Sequence, residues 1–130
     1  MAGTFKFELV SPERILMSVD AEQVIVPGSE GEFTVMAGHA PVVSSLLPGV
    51  IHVTTAKDKQ AIFVRSGFAE VNAEALTILA ERAFIVEEAD PRQIDSELDA
   101  AKKALEECDN DEARLHVNRA IEELKALVKS

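Results

Sequence analysis

Between Thr4 and about Ala83 the apolar residues fall at every second position in short bursts: Phe5, Phe7, Leu9; Ile15, Met17, Val19; Phe33, Val35; Ile51, Val53; and Leu76, Ile78. That alternation is the period of a strand with one buried face. Between the bursts stand Ser11-Pro12, Pro27-Gly28, Pro48-Gly49, Lys57-Asp58-Lys59, Ser66-Gly67 and Asn72-Ala73-Glu74, residue types that favour turns. An alternating strand needs a second layer to cover its apolar face, so the pattern predicts an antiparallel sandwich or flattened barrel of roughly eight to ten strands. Ala40 to Leu47 follows neither period, and Val42, Val43, Ser44, Ser45, Leu46, Leu47 read as a buried connection or a short helical turn.

At Asp90 the period changes. Asp90, Pro91, Arg92 and Gln93 supply an N-cap acceptor, a proline suited to the first helical position and a glutamine placed to reach back, the signature of a capping box. Ile94, Leu98, Ala101, Leu105 and Cys108 then recur at helical spacing and form one narrow apolar stripe. Asp109, Asn110 and Asp111 end that helix, Asp109 with Glu112 offers the next cap, and Val117, Ile121, Leu124 and Val128 repeat the stripe. Two helices joined by so short a loop lie antiparallel with their stripes facing. Isolated helices of this length are marginal in water, so the hairpin depends on packing for its order and is the segment best able to move. The expected division is a β-sandwich over residues 1–88 and a helical hairpin over 89–130.

The 130 residues suit one domain with an appendage, and 47% hydrophobic content is enough for a core. No run approaches the roughly eighteen apolar residues that span a bilayer, and Met1 to Lys6 lacks the basic start and apolar block of a signal peptide. The formal net charge is -10, from 23 acids against 13 bases, which repels nucleic acid and anionic lipid and directs attention to protein partners. The lone Cys108 has no partner for an internal disulfide, which suits a reducing compartment.

Catalytic motifs fail on their spacing. The Gly-rich run GSEGEF, residues 28–33, carries Glu30 and Glu32 and no lysine, and an alternating strand follows it where a phosphate loop needs a helix. His39, His52 and His116 do not share the spacing of a metal pair. His52 should point out of its strand, and His116 falls off the Val117 stripe and reads as solvated. Ser44, Ser45 and Ser66 sit in no nucleophile elbow, and Glu106, Glu107 and Asp109 around Cys108 disfavour a thiolate and leave it as a core residue. Lys102, Lys103, Arg114, Arg119, Lys125 and Lys129 punctuate otherwise acidic helices, either as a solvated surface or as a basic stripe for an acidic partner.

The motifs GSEGEF at 28–33, GHAP at 38–41, LLPG at 46–49, SGFAEV at 66–71 and LAERA at 79–83, followed by a charged helical hairpin, stand in the order and spacing of a known family. The chain resembles the epsilon subunits of bacterial F-type ATP synthases, called delta in mitochondria, over nearly its whole length. The resemblance implies a flattened sandwich of about ten antiparallel strands and a C-terminal antiparallel helical hairpin, in a non-catalytic central-stalk subunit with no cofactor. It implies three partners: the gamma subunit, the membrane ring of c subunits and the catalytic beta subunits. Glu30, Glu32 and His39 occupy positions that match the family's ring-facing loops. Lys102, Lys103, Arg114 and Arg119 are the candidates for the contact by which the family's hairpin meets an acidic segment of beta and inhibits ATP hydrolysis.

Some members bind ATP through Ile-Asp-x-x-Arg-Ala at the start of the first helix. Here Ile94 and Asp95 are present but Leu98 stands where the arginine would be, with Glu97 and Asp99 beside it, so weak or no ATP binding is expected. The implied location is peripheral, on the cytoplasmic face of the bacterial inner membrane, without insertion. The rival readings are a stand-alone β-sandwich binding module that dimerises through the hairpin, and a small hydrolase built on His39 and a nearby serine.

Overall fold

A computed structural model describes the backbone of residues 3–129 and the side chains of residues 3–127. Val128, the last member of the expected second stripe, and Lys129 lie outside the described side chains. The strands run in the order β1 (Phe5–Val10), β2 (Ile15–Ala21), β3 (Gln23–Gly28), β4 (Gly31–Val35), β5 (Val42–Ser45), β6 (Gly49–Thr54), β7 (Lys59–Val71) and β8 (Ala75–Ile85). A short 3₁₀ turn at Val86–Glu88 leads to α1 (Pro91–Glu106) and α2 (Asp111–Lys129).

The expected sandwich with its C-terminal helical pair is the architecture found, with eight strands among the described residues. They lie in the order β2-β1-β8-β7-β6-β3-β4, with β5 added along β7. The two longest strands serve both layers. The first half of β7 pairs with β6 and its second half with β5, while β8 follows it through a break in register around Ser66-Gly67. Ser66-Gly67 is therefore a bulge inside a strand, where a turn was expected from its residue types. Gly67 has φ +155°, and a Cβ there would collide with the Leu79 carbonyl oxygen, so glycine alone lets the backbones approach.

The all-antiparallel expectation needs one correction. β1 runs parallel to β8, from Lys6 opposite Ala75 to Val10 opposite Leu79. Alternation reports which face of a strand is buried and is blind to its direction, and the whole intervening chain serves here as the long crossover a parallel pair needs. Ala40 to Leu47 is neither helical nor a buried connection. It forms the short strand β5, largely exposed, and then buries Leu46 at 3% exposure. At the rim of β7 such a strand has little to hide, so no period marks it.

Alternating residues of both layers meet in one core: Phe5, Phe7 and Leu9 of β1, Val24 and Val26 of β3, Ile51 and Val53 of β6, and Leu76 and Ile78 of β8. A second core lies beneath the hairpin. Phe63 of β7 and Phe84 of β8 stack with ring centroids 5.3 Å apart, and Ile94 and Ala101 of α1 join Ile121 and Leu124 of α2 around them. The stripes read from the sequence thus face each other and the sandwich together.

α1 begins with the expected cap and proline but without the reciprocal bond of a capping box, since the Gln93 side chain makes no bond back to Asp90. Asp90 adopts an extended conformation, its carboxylate accepts the Arg92 amide at 2.8 Å, and Pro91 opens the helix. The α2 cap is Asn110, whose side-chain oxygen accepts the Ala113 amide at 2.7 Å, in place of the expected Asp109. Cys108 lies past the end of α1, half-buried and outside the second core, with its thiol donating to the Ala104 carbonyl at 3.2 Å.

Candidate functional site

The β3–β4 turn reverses the chain over Ser29 and Glu30, with Gly31 at φ +129°, a value few side chains tolerate. Its base is tied to the segment after β5. Ser29 N–H donates to Ser45 O at 2.9 Å, Leu47 N–H donates to Pro27 O at 2.8 Å, and Gly28 bridges Leu46. From that base the turn and β5 diverge around an open hollow of about 580 Å³ lined by Glu30, Glu32, Phe33, His39, Val42, Val43 and Ser44, among others. The structure brings the three residues expected in ring-facing loops to one hollow: Glu30 and Glu32 are exposed, and His39 is half-buried.

His39 is held from two sides. Its Nδ1 lies 2.7 Å from the Ala40 carbonyl, and its ring lies 6.4 Å from that of Phe33. A carbonyl accepts only, so Nδ1 carries the proton and Nε2 is the nitrogen left for a partner. The serines are occupied otherwise: Ser44 Oγ donates to Ser45 O at 2.9 Å, and Ser66 Oγ to Glu81 at 3.2 Å. Neither bond joins a serine to an imidazole, the arrangement that the hydrolase reading requires. Among the described residues no cluster of His, Cys, Asp and Glu could hold a metal ion.

The hollow continues into an apolar surface that the sequence reading missed. Val43 is 73% exposed, Phe68 56% and Leu79 49%. Phe68 lies opposite Leu79 across β7 and β8, and Val43 lies opposite Glu70, two residues along β7 and so on the same face as Phe68. A further hollow of about 210 Å³ runs beside them, lined by Val10, Ser11, Pro12 and Gly67 together with Phe68 and Leu79. The signal was in SGFAEV: Phe68 is a large apolar residue at an outward position, next to the inward Ala69. Apolar side chains left open on a sheet face, rimmed by Glu70 and Glu81, are the mark of a docking surface.

The basic residues of the hairpin do not form one site. Lys102 and Lys103 are exposed on α1, and Arg114 pairs with Asp111 one turn away at 2.8 Å. Arg119 reaches back to the sandwich, its Nε donating to Pro48 O at 3.0 Å. At the start of α1, Asp95 is exposed while Leu98 packs into the core beneath the hairpin, and Glu97 pairs with Arg82 of β8 at 2.7 Å. The position where an ATP-binding arginine would stand is thus spent on apolar packing. His52 points outward as expected, whereas His116 is half-buried.

An acidic hollow opening onto an apolar sheet face, with a helical hairpin seated elsewhere on the same sandwich, defines a protein-docking module. Residues 4–86 match the family model for "ATP synthase, Delta/Epsilon chain, beta-sandwich domain". The ATP synthase epsilon chain of Parvibaculum lavamentivorans is 44% identical over 128 residues, covering 98% of this chain and 97% of the relative. That of Brucella canis is 41% identical over 128 residues, covering 98% and 95%. A chain of the Euglena gracilis mitochondrial ATP synthase OSCP/F1/c-ring structure aligns with TM-score 0.70 at 23% identity, covering 98% of this chain and 81% of that one. A chain of the Tetrahymena thermophila mitochondrial ATP synthase central stalk/c-ring aligns with TM-score 0.66 at 12% identity, covering 95% and 96%. The protein belongs to the ATP synthase delta/epsilon chain family, as a non-catalytic stalk subunit of an F-type ATP synthase. Among the described residues no helix is long and apolar enough to cross a membrane.

Proposed function

We propose that the sandwich, residues 1–88, couples the gamma subunit to the c-ring of the synthase, and that the hairpin, residues 89–130, modulates ATP hydrolysis. The observation that carries this reading is the continuity of two unlike surfaces. The apolar face of Val43, Phe68 and Leu79 suits a broad protein partner, here gamma, while the adjoining hollow with Glu30, Glu32 and His39 suits polar loops, here those of the ring. Charge-assisted hydrogen bonds from exposed carboxylates are directional and resist sliding, which a torque-bearing contact needs. The relatives named above are epsilon chains, and the aligned structures are of assemblies that contain a c-ring, which supports the same partners.

The hairpin acts on the catalytic beta subunits through Lys102, Lys103, Arg114 and Arg119, and the isolated subunit binds ATP weakly or not at all. The complex places the chain on the cytoplasmic face of the bacterial inner membrane, as a peripheral subunit. The dimerising-module reading is weakened by one observation: both helical stripes are already spent on each other and on Phe63 and Phe84.

The test is ATPase activity of the epsilon-depleted catalytic head, titrated with the full chain and with a chain ending at Asp90, with binding followed in parallel. Both should bind and only the full chain should slow hydrolysis. Binding without inhibition by either removes the regulatory role of the hairpin, and binding by neither overturns the coupling of gamma to the c-ring through the sandwich.

A further inference from the structure

The hairpin sits on a narrow apolar seat. On the sandwich side the second core holds Phe63 and Phe84 as its fully or nearly fully buried members. Apolar contact is non-directional, so such a seat favours docking without fixing the angle or register of the docked helices. Two polar bonds supply what it lacks, one for each helix. Arg82 lies two residues before Phe84 on β8, on the same face of the strand, and its Nη1 donates to both carboxylate oxygens of Glu97 on α1, at 2.7 and 3.1 Å. Arg119 flanks the buried Ala120 and Ile121 of α2, and its Nε donates to the Pro48 carbonyl at 3.0 Å, across 71 residues of sequence. The Pro48 carbonyl is a firm anchor, because Leu47 N–H is itself bonded to Pro27 O and Gly49 stands so near Pro27 that an added Cβ would lie 3.2 Å from the proline Cβ.

We propose that Arg82–Glu97 and Arg119–Pro48 form a two-point polar latch that holds the hairpin down on the sandwich, and that opening it is the step that frees the helices. This rests on the regulatory reading of the hairpin given above and names the residues that set its equilibrium. The burial of the ion pair is unequal: the Glu97 side chain is 13% exposed and that of Arg82 is 54% exposed. Removing Arg82 leaves a largely buried carboxylate without its cation in the docked state alone, whereas removing the charge of Glu97 leaves an arginine that water still reaches. The two halves of the pair are therefore unequal as levers, and Arg82 is the stronger. The Arg119 bond has a second consequence. It engages Nε alone, and the residue stays exposed with its Nη groups open, so an acidic partner that pulls on those groups would draw α2 away from the Pro48 carbonyl.

The experiment uses the isolated full chain, with spin labels on Cys108 and on a cysteine introduced at Lys57, and reads the docked and open populations from the distance distribution. Arg82→Met and Arg119→Gln should each raise the ratio of open to docked hairpin by about three- to tenfold, with Glu97→Gln at the low end of that range. The charge swap Arg82→Glu with Glu97→Arg should restore docking that either reversal alone has lost, a rescue that a merely structural role would not produce. Added salt should open the wild type and have little effect on Glu97→Gln. Unchanged populations in both Arg82→Met and Arg119→Gln overturn the latch, whatever an ATPase assay reports. Opening in Arg82→Met without altered ATPase inhibition leaves the latch standing and removes the regulatory role, so the two failures are distinguishable.

Discussion

Truncating Phe84 to alanine should separate the hairpin from the sandwich without unfolding the sandwich. The ring is 6% exposed when the hairpin is docked, and it is packed between Phe63 and the side chains of α1 and α2. Truncation of a buried Phe costs about 3–5 kcal/mol. Part of that cost belongs to the sheet itself, because Phe63 and Phe84 are cross-strand partners whose stacking persists after the hairpin lifts. An aromatic pair of this kind contributes about 0.5–1.5 kcal/mol. At least about 1.5 kcal/mol therefore falls on docking alone, roughly a twelvefold shift of that equilibrium. The chain has no Trp or Tyr, so intrinsic fluorescence is a poor probe. Hydrogen exchange resolved by segment, with urea unfolding followed by circular dichroism, reads the two units separately. Amides of α1 and α2 should lose protection by a factor of about ten or more while those of β6 to β8 stay within a few-fold. Equal acceleration of strands and helices would show that Phe84 supports the sandwich core. No acceleration of the helices would show that the ring does not bear the hairpin.

Other substitutions test the remaining links. Gly67→Ala forces a Cβ against the Leu79 carbonyl at a backbone angle that disfavours side chains, and should cost the sandwich about 3 kcal/mol or more in chemical denaturation. Asp90→Ala removes the acceptor for the Arg92 amide and should weaken α1 by about 1 kcal/mol, read as faster exchange in its first turn with the strands unaffected. Phe68→Ser, at a side chain already 56% exposed, should leave stability within about 0.5 kcal/mol of wild type and reduce binding to gamma at least about tenfold, measured by titration with purified gamma. Calorimetry of the isolated chain with ATP should show no saturable binding below millimolar concentration, since Leu98 is packed apolar where a phosphate-pairing arginine would stand.

The grouping of Glu30, Glu32 and His39 around one hollow was legible because its chemistry is local. Glu30 and Glu32 flank a glycine in one turn, and His39 follows a few residues later, so short-range sequence nearly dictates their company. The outward apolar face was not legible. Val43, Phe68 and Leu79 come from three strands, and their adjacency exists only through the pairing of β5, β7 and β8. The basic residues were visible as a set, but which are committed was not: Arg119 and Arg114 look alike in the sequence, yet one crosses to Pro48 and the other pairs within its own turn.

By itself the sequence determined the change from strand period to helix period at Asp90, the cap that starts α1, the apolar stripes of both helices, and the family. These properties depend on residues within a turn or a strand of one another, or on motifs in linear order, and the physics that sets them is local. The tertiary structure alone decided that Ser66-Gly67 bends a strand where a turn was expected, that β1 runs parallel to β8, that residues 42–45 become an edge strand, and that the hairpin rests on Phe63 and Phe84 under two polar ties. Each of these is a choice of partner. Periodicity states that a face must be covered, and only the packing of distant segments states what covers it.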